Sequence, residues 1–389
     1  MDQEALKNSV PETPAFIYDE EYILSQLRIL AKLRGSSQLK LLYSIKSFPF
    51  AGVLRLVQPG VDGFSVSSVF EARLASKFIR GGEIHITTPG LRHGEMDEIV
   101  RLCDHVNFNS LEQYQRFSPG ISSSVQIGLR VNPQLSFLKD PRFDPCRRFS
   151  KLGVPLRRLK AIPSDDKLWQ GIHGLHFHTL FESNSFDPLL QTVERLEKEI
   201  PHVLDKCRWI NLGGGYLFDT WKQLSPLAEI STRLRERWGL KVYFEPGKAI
   251  MGKAGYLIAS VIDLFKSDGR VVAILDTSVN HLPEVFEYQS APTLASECLP
   301  GSNRVLMAGC TCLSGDVFGE YNLKQPLSLG DRIVFSNVGA YSLVKASRFN
   351  GYNLPTVYAQ HGEGKVTLKK QYDYREYYTQ WVEEGIDNE

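Results

Sequence analysis

"KLLYSIK", residues 40–46, is an apolar run that stops on an ammonium group, and the place of that lysine decides how the chain is read. Leu41, Leu42 and Ile45 have the character of a buried strand, and a lysine ending such a run ordinarily snorkels to water. Working outward, this run is the first of eight. "GFSVSS" (63–68), "EIHITT" (83–88), "HVNFNS" (105–110), "VQIGLRVN" (125–132), "GIHGLHFHT" (171–179), "WINLGGG" (209–215) and "KVYFEPG" (241–247) follow. Between them lie amphipathic stretches such as "SVFEARLASKFIR", "DPLLQTVERLEKEI" and "LSPLAEISTRLRERW". Strand and helix in strict alternation imply parallel strands joined by crossover helices. Eight such units within residues 36–254 predict an α/β fold, a (β/α)8 barrel of the TIM type. A doubly wound open sheet is the alternative, and it ordinarily has fewer strands.

One connection is long. Residues 133–170 are basic and broken by prolines, and loops of that length in compact domains are commonly functional or disordered. Beyond residue 254 the helical pattern fades. "YLIASVIDLF", "RVVAILDTS", "RVLMAGCTC", "DRIVFSNVGAY" and "TVYAQ" predict a second, β-rich domain over 255–389. The segment 1–35, with the short strand "AFIYD" and a helix striped by Ile23, Leu24, Leu27, Leu30 and Leu33, is assignable to either domain. The final "KKQYDYREYYTQWVEE" predicts a terminal helix.

Composition is that of an ordinary globular chain: 389 residues, 42% hydrophobic, 23% charged, formal net charge +1. That balance gives no broad field for nucleic acid or an anionic membrane, so neither is expected as a partner. "MDQEALKNSVPETP" has neither a basic n-region nor an apolar h-region, which leads to the expectation of a cytoplasmic protein. Six cysteines without a C-x-x-C pair do not form a disulfide pattern; Cys310 and Cys312 are the one close pair.

In a barrel of this kind, the C-terminal strand ends face the active site. Those ends are Lys46, Ser67, Thr88, Asn109, Asn132, His178, Gly213 to Gly215 and Glu245. Singly, each has an ordinary explanation. Three glycines make a tight turn, His178 in "HFH" is a core histidine or a zinc ligand, Glu245 caps a segment, and Lys248 is surface charge. Zinc would need further ligands, and only Glu182 is near in sequence, so no metal is expected. Pyridoxal 5′-phosphate (PLP) unites the set. Its aldehyde needs a lysine, its phosphate N–H groups and a cation, and its ring nitrogen an acid. The β-rich half adds "GCTCLSGDVFGEY" (309–321) and "VGAYSLVKASRFNGY" (338–352). There Cys310 and Cys312 are two small buried residues or a catalytic thiol with Asp316 as partner, and Tyr341 is a buried aromatic unless it serves the site.

"YSIKSF", "SKLG", "GLHFH", "LGGG", "EPG", "TCLSGD" and "GAYS" occur in one order, and together they resemble the alanine-racemase-like (fold type III) PLP-dependent decarboxylases. "GFSVSSVFEA", "DPCRRFSKLG", "LDTSVNHLPEVFEY" and "FNGYNLP" are similar to the carboxynorspermidine/carboxyspermidine decarboxylase branch. The resemblance implies that Lys46 bonds the cofactor, His178 lies on its ring, Gly213, Gly214 and Gly215 bind its phosphate, Glu245 pairs with the ring nitrogen and Tyr341 reaches the phosphate. It implies that Cys312 returns a proton after CO2 loss and that Asp316 holds a substrate amine, both from the second subunit of a homodimer with a shared site. Three stretches depart from the family: "FHTLFES", "EPGKA" and "HLPEVFEY". Lys248 of "EPGKA" is a cation suited to the phosphate, and Glu284 and Glu287 are candidate contacts for distal ammonium groups of a polyamine. The alternatives are meso-diaminopimelate or another diamino acid, for whose second carboxylate Arg130 and Arg148 are candidates, and a non-catalytic PLP-binding homologue.

Overall fold

The computed structural model of the protein describes residues 3–295 and 302–383. Its strands, in chain order, are β1 (Ala15–Asp19), β2 (Lys40–Ser44), β3 (Gly63–Val66), β4 (Glu83–Thr87), β5 (His105–Phe108), β6 (Gln126–Asn132), β7 (Val154–Pro155), β8 (Gly174–His176) and β9 (Trp209–Asn211). They continue as β10 (Lys241–Phe244), β11 (Gly255–Ser267), β12 (Arg270–Leu275), β13 (Asn303–Ala308), β14 (Val317–Leu323), β15 (Arg332–Ser336), β16 (Thr356–Gln360) and β17 (Val366–Lys370). The chain forms two compact units, Leu24–Ile250 and Met1–Ile23 with Met251–Glu389.

In the first unit the order β5-β4-β3-β2-β10-β9-β8-β6 closes through a β5–β6 pairing, and every pairing is parallel. This is the eight-stranded α/β barrel read from the alternation. Each predicted strand is present but shorter, in most because the last residues already turn into the loop; β6 ends at Asn132 as predicted. Helix entries carry their own caps: Ser68 Oγ accepts from the Glu71 N–H at 3.2 Å and Ser110 Oγ from the Gln113 N–H at 3.0 Å. Helix Asp187–Glu199 lays Leu189, Val193 and Leu196 on the barrel, all at most 1% exposed.

The barrel floor is filled by side chains. His85 and His105 stack face to face with centroids 3.7 Å apart, edge-on to Tyr243 and Trp209. Trp209 fits because strands β6 and β8 carry glycine opposite it; a Cβ on Gly128 or Gly174 would lie 2.4 or 2.1 Å from the indole. Glu83 closes this layer, accepting from Tyr243 Oη at 2.7 Å and from the Lys241 ammonium at 2.6 Å. Burial would raise its carboxyl, but the hydrogen bonds from His85, Lys241 and Tyr243 hold it well below the carboxylate range.

The second unit is a mixed sheet ordered β14-β13-β12-β11-β1-β16-β17, with β15 also on β11. β1 lies antiparallel to β11 and parallel to β16. Ala15, Ile17, Ile258, Val334 and Tyr358 form its core with Leu6 and Val10. The N-terminal segment therefore divides, with β1 in the sheet and the chain from Leu24 in the barrel unit. The C-terminal segment differs from a single helix. Its two lysines end strand β17, which pairs with β16, and the helix begins at Tyr374, capped by Asp373 accepting from the Glu376 N–H at 3.0 Å.

Candidate active site

Lys46 does not sit on β2. The strand ends at Ser44 and the lysine is the middle residue of a 3-10 turn, Ile45–Ser47. Two bonds set that turn: Ser47 Oγ donates to the Ser44 carbonyl at 2.7 Å, and the Ser44 N–H donates to the Pro246 carbonyl at 3.1 Å. Lys46 is open to solvent by area, yet protein surrounds it closely enough that burial leads the lowering of its pKa. A side chain standing in a concave mouth satisfies both facts. The Arg130 charge lowers the ammonium pKa further, while Glu245 and Glu71 oppose.

Glu245 follows β10 and is 6% exposed. Asn211 Nδ2 donates to its Oε1 at 2.8 Å, and His176 Nε2 lies 3.6 Å from its Oε2. Burial alone would raise this carboxyl; His176, Lys46 and His178 outweigh that and hold it ionised far below the usual range. Asn211 is a hinge between two parts of the site, because its Oδ1 accepts from the Gly213 N–H at 2.9 Å. Arg130, His176 and Asn211 are cross-strand neighbours on β6, β8 and β9, so one layer of the barrel supports Glu245. Burial lowers Arg130 to about 10.

His178 Nδ1 accepts from the Gly214 N–H at 3.1 Å, so that nitrogen is unprotonated. Burial, then the charges of Lys46 and Arg130, push its pKa well below the ordinary value, which keeps the ring neutral. The glycine loop is dictated by packing. A Cβ on Gly213, Gly214 or Gly215 would approach the carbonyls of Phe177, Glu245 and Leu180 to 2.3, 2.2 and 2.5 Å. Gly213 and Gly215 also take φ of +65° and +97°, which glycine adopts without strain. Two of the three loop N–H groups are thus already bonded, Gly213 to Asn211 and Gly214 to His178. Among the described residues the Gly215 N–H has no partner, and Gly215 is the half-exposed one. Of the three glycines expected to bind an anion, Gly215 is thus the one whose N–H is not already engaged.

Lys248, at the start of helix Lys248–Met251, pairs with Glu182 and lies 5.8 Å from the Phe181 ring centroid. Phe181 in turn stacks on Phe143 of the long connection, 5.7 Å between centroids. That connection is ordered: β7 pairs with β6, Asp144 and Cys146 are buried, and Asn109 clamps its middle through Lys151 O (2.8 Å) and the Gly153 N–H (2.9 Å). Arg148 is exposed and lies over the ring of Phe149, 4.7 Å from its centroid.

The remaining candidates belong to the sheet unit. Cys312 is exposed on the turn after β13, its N–H donating to Asn350 Oδ1 at 3.0 Å. Cys310 is half-buried, and burial followed by the Asp316 charge pushes its thiol up to about 11. Asp316 is only 3% exposed, and both of its oxygens accept hydrogen bonds from its own chain. Tyr341 is half-buried at φ +65°, and the neighbouring Ser342 Oγ donates to Glu284 Oε2 at 3.3 Å. Glu287 pairs with Lys345. Sequence reading overlooked His176, Asn211 and Glu71. The signals were there: a histidine two residues before His178, an asparagine two before Gly213, and a glutamate three beyond Ser68.

Residues 15–339 match the family model described as pyridoxal-dependent decarboxylase, C-terminal sheet domain. The chain belongs to the pyridoxal-dependent decarboxylases. It is 30% identical to a carboxynorspermidine/carboxyspermidine decarboxylase of Campylobacter jejuni, over 94% of this chain and 97% of the relative. It is 32% identical to a carboxyaminopropylagmatine decarboxylase of Synechocystis, covering 95% of both. Among solved structures, the carboxynorspermidine decarboxylase of C. jejuni complexed with norspermidine superposes with a TM-score of 0.84 at 29% identity, covering 95% of this chain and all (100%) of that one. A diaminopimelate decarboxylase of Helicobacter pylori, at 20% identity and a TM-score of 0.78, shares the fold. The enzyme is accordingly a PLP-dependent carboxy-lyase. The mouth fits that cofactor: an amine in a hollow, an ionised carboxylate nearly sealed from water, a neutral imidazole and a loop N–H without a partner.

Proposed function

We propose that this decarboxylase acts on a carboxylated polyamine, carboxynorspermidine or carboxyspermidine, releasing CO2 and norspermidine or spermidine. The observation that carries the reading is full-length similarity to carboxy-polyamine decarboxylases, together with a mouth holding Lys46, His178, Gly215 and Glu245. The residues to hold PLP are Lys46 for its aldehyde, Gly215 and Lys248 for its phosphate with Tyr341, His178 for its ring and Glu245 for the ring nitrogen. When bound, PLP supplies an electron sink for the pair released as CO2 leaves.

The chain's own groups do the rest. The lowered pKa of Lys46 leaves a larger share of its amine unprotonated and nucleophilic at neutral pH. Glu245, held ionised by Asn211 and His176, favours a proton on the nitrogen it faces. Neutral His178 lines the site without adding a second positive charge beside Lys46. Cys312 carries the proton that replaces the lost carboxyl group, and its exposure suits a thiol serving a site completed by a second copy of the chain, so the working form is a homodimer. Glu284 and Glu287, the latter paired with Lys345, are the acidic residues proposed to receive distal ammonium groups.

A second reading, carboxyaminopropylagmatine, is favoured by the Synechocystis relative, and it changes only the distal group. The deciding test is CO2 release from carboxynorspermidine, carboxyspermidine, carboxyaminopropylagmatine and meso-diaminopimelate, each with and without PLP. PLP-dependent turnover of either carboxy-polyamine is expected. Turnover of the diaminopimelate alone would refute the proposal.

A further inference from the structure

We infer that Asp316 is a positioning residue that presents Cys312, and that it makes no contact with substrate. The inference rests on the proposed role of Cys312 as proton carrier. Asp316 begins the return from the turn at residues 309–316, between β13 and β14. Its Oδ1 accepts from the Val279 N–H at 2.8 Å, and its Oδ2 accepts from the Thr311 N–H at 3.0 Å and the Thr311 hydroxyl at 2.5 Å. Its main chain joins the same turn: the Gly309 N–H donates to the Asp316 carbonyl at 2.8 Å, and the Asp316 N–H to the Leu313 carbonyl at 2.9 Å. The carboxylate is therefore the hub around which residues 309–313 are wound.

Two further features point the same way. Gly309 faces the carboxylate so closely that a Cβ there would sit 2.1 Å from Oδ1, so that position has room only for glycine. Thr311 Oγ, while donating to Asp316, lies 3.4 Å from the Leu313 N–H, which it accepts, so the hydroxyl relays the anchor across Cys312. From the other side Asn350, at φ +55°, accepts the Cys312 N–H at 3.0 Å. Cys312 is thus the exposed crest of a turn whose backbone is tied on both flanks, and Asp316 supplies the buried flank. A residue that received a substrate ammonium group would need to face solvent, and three of the about four acceptor sites of Asp316 are taken by its own chain at 3% exposure.

The test compares Asp316→Asn, Thr311→Val and Thr311→Ser with the parent. Two readouts are taken: kcat and KM on the best carboxy-polyamine, and the rate at which iodoacetamide alkylates Cys312 in PLP-free protein, followed by peptide mass spectrometry. Asparagine keeps the shape but turns an amide N–H toward one of the three donors. We expect kcat to fall about 100-fold, the scale on which a displacement near 1 Å reduces rates, with KM within about twofold. Alkylation of Cys312 should change about threefold or more. Thr311→Val should move both readouts the same way by a smaller factor, and Thr311→Ser, which keeps the hydroxyl, should restore them. A tenfold or larger rise in KM (roughly the loss of one charged hydrogen bond) with unchanged alkylation would overturn the inference and return Asp316 to substrate binding. Unchanged alkylation in Thr311→Val would overturn it too, even if Asp316→Asn does not fold. If the parent turned over no carboxy-polyamine, the functional proposal would fail, while the alkylation series would still decide the role of Asp316.

Discussion

Replacing Gly214 with alanine tests whether the glycine loop is built by packing or merely tolerated. Gly214 has no positive φ, so the added methyl brings no intrinsic backbone strain, and the effect is steric. Its Cβ would lie 2.2 Å from the Glu245 carbonyl oxygen, which is backbone and cannot swing aside. An ordinary carbon–oxygen approach is about 3.3 Å, so the loop or the end of β10 must move by about 1 Å. That movement strains the Gly214 N–H bond to His178 and the Glu245 N–H bond to the Gly213 carbonyl, now 3.1 and 2.8 Å. Overpacking costs about 1–3 kcal/mol and one net hydrogen bond about 1 kcal/mol. If about 2–4 kcal/mol falls on the cofactor complex, the PLP dissociation constant rises roughly 30- to 700-fold. The assay is titration of PLP-free protein with PLP, read by absorbance, beside thermal unfolding of the same protein. Gly239→Ala is the control: that residue is also in the barrel, at φ +67° with nothing near its Cβ, so it should lose about 1 kcal/mol of stability and bind PLP normally. A Gly214→Ala protein binding PLP as tightly as the parent would refute the reasoning.

Two other outcomes follow from the same geometry. Lys46 is harder to protonate folded than unfolded, so the unfolded chain binds the extra proton between the lowered pKa and 10.5, and stability rises with pH across that window. Lys46→Met should therefore stabilise the PLP-free protein most below the window, the gain shrinking as pH approaches 10.5; urea titrations at several pH values would reveal a flat difference if Lys46 were simply solvated. For the shared site, mixing Lys46→Ala with Cys312→Ala protein should recover up to about a quarter of parental activity, the share of intact sites expected from random re-pairing of C2 dimers. Activity no higher than either variant alone would rule sharing out.

The barrel was readable because its strands alternate with helices at a regular spacing, a pattern that local hydrophobicity alone produces. The strand ends were less so. Lys46 was read as the last strand residue, but the strand ends two residues earlier at Ser44, whose N–H bonds Pro246, two hundred residues away in sequence. The same holds within the site. His178, Glu245 and the glycines announce themselves as residue types, whereas Asn211 matters because it bonds two of them at once, a fact of three dimensions. The family resemblance implied that Asp316 holds a substrate amine. Its hydrogen bond from the Val279 N–H, arriving from beyond β12, is a long-range contact that the sequence does not display. Strand β1 was ambiguous for a related reason: its parallel partner β16 begins at Thr356.

That last pairing bears on how the protein is made. β1 leaves the ribosome first and is an interior strand of its sheet, flanked by β11 and β16. The barrel, Leu24–Ile250, is contiguous in sequence and can close while synthesis continues. The sheet cannot. One edge of residues 15–19 must wait unpaired until β16 at 356–360 has been translated, even after β11 is available to the other. At bacterial or eukaryotic elongation rates of about 5–20 residues per second, that wait is on the order of 20–70 seconds. During it, the segment "AFIYD" is a naked strand edge that a chaperone, or a neighbouring nascent chain, can reach before its own partner does.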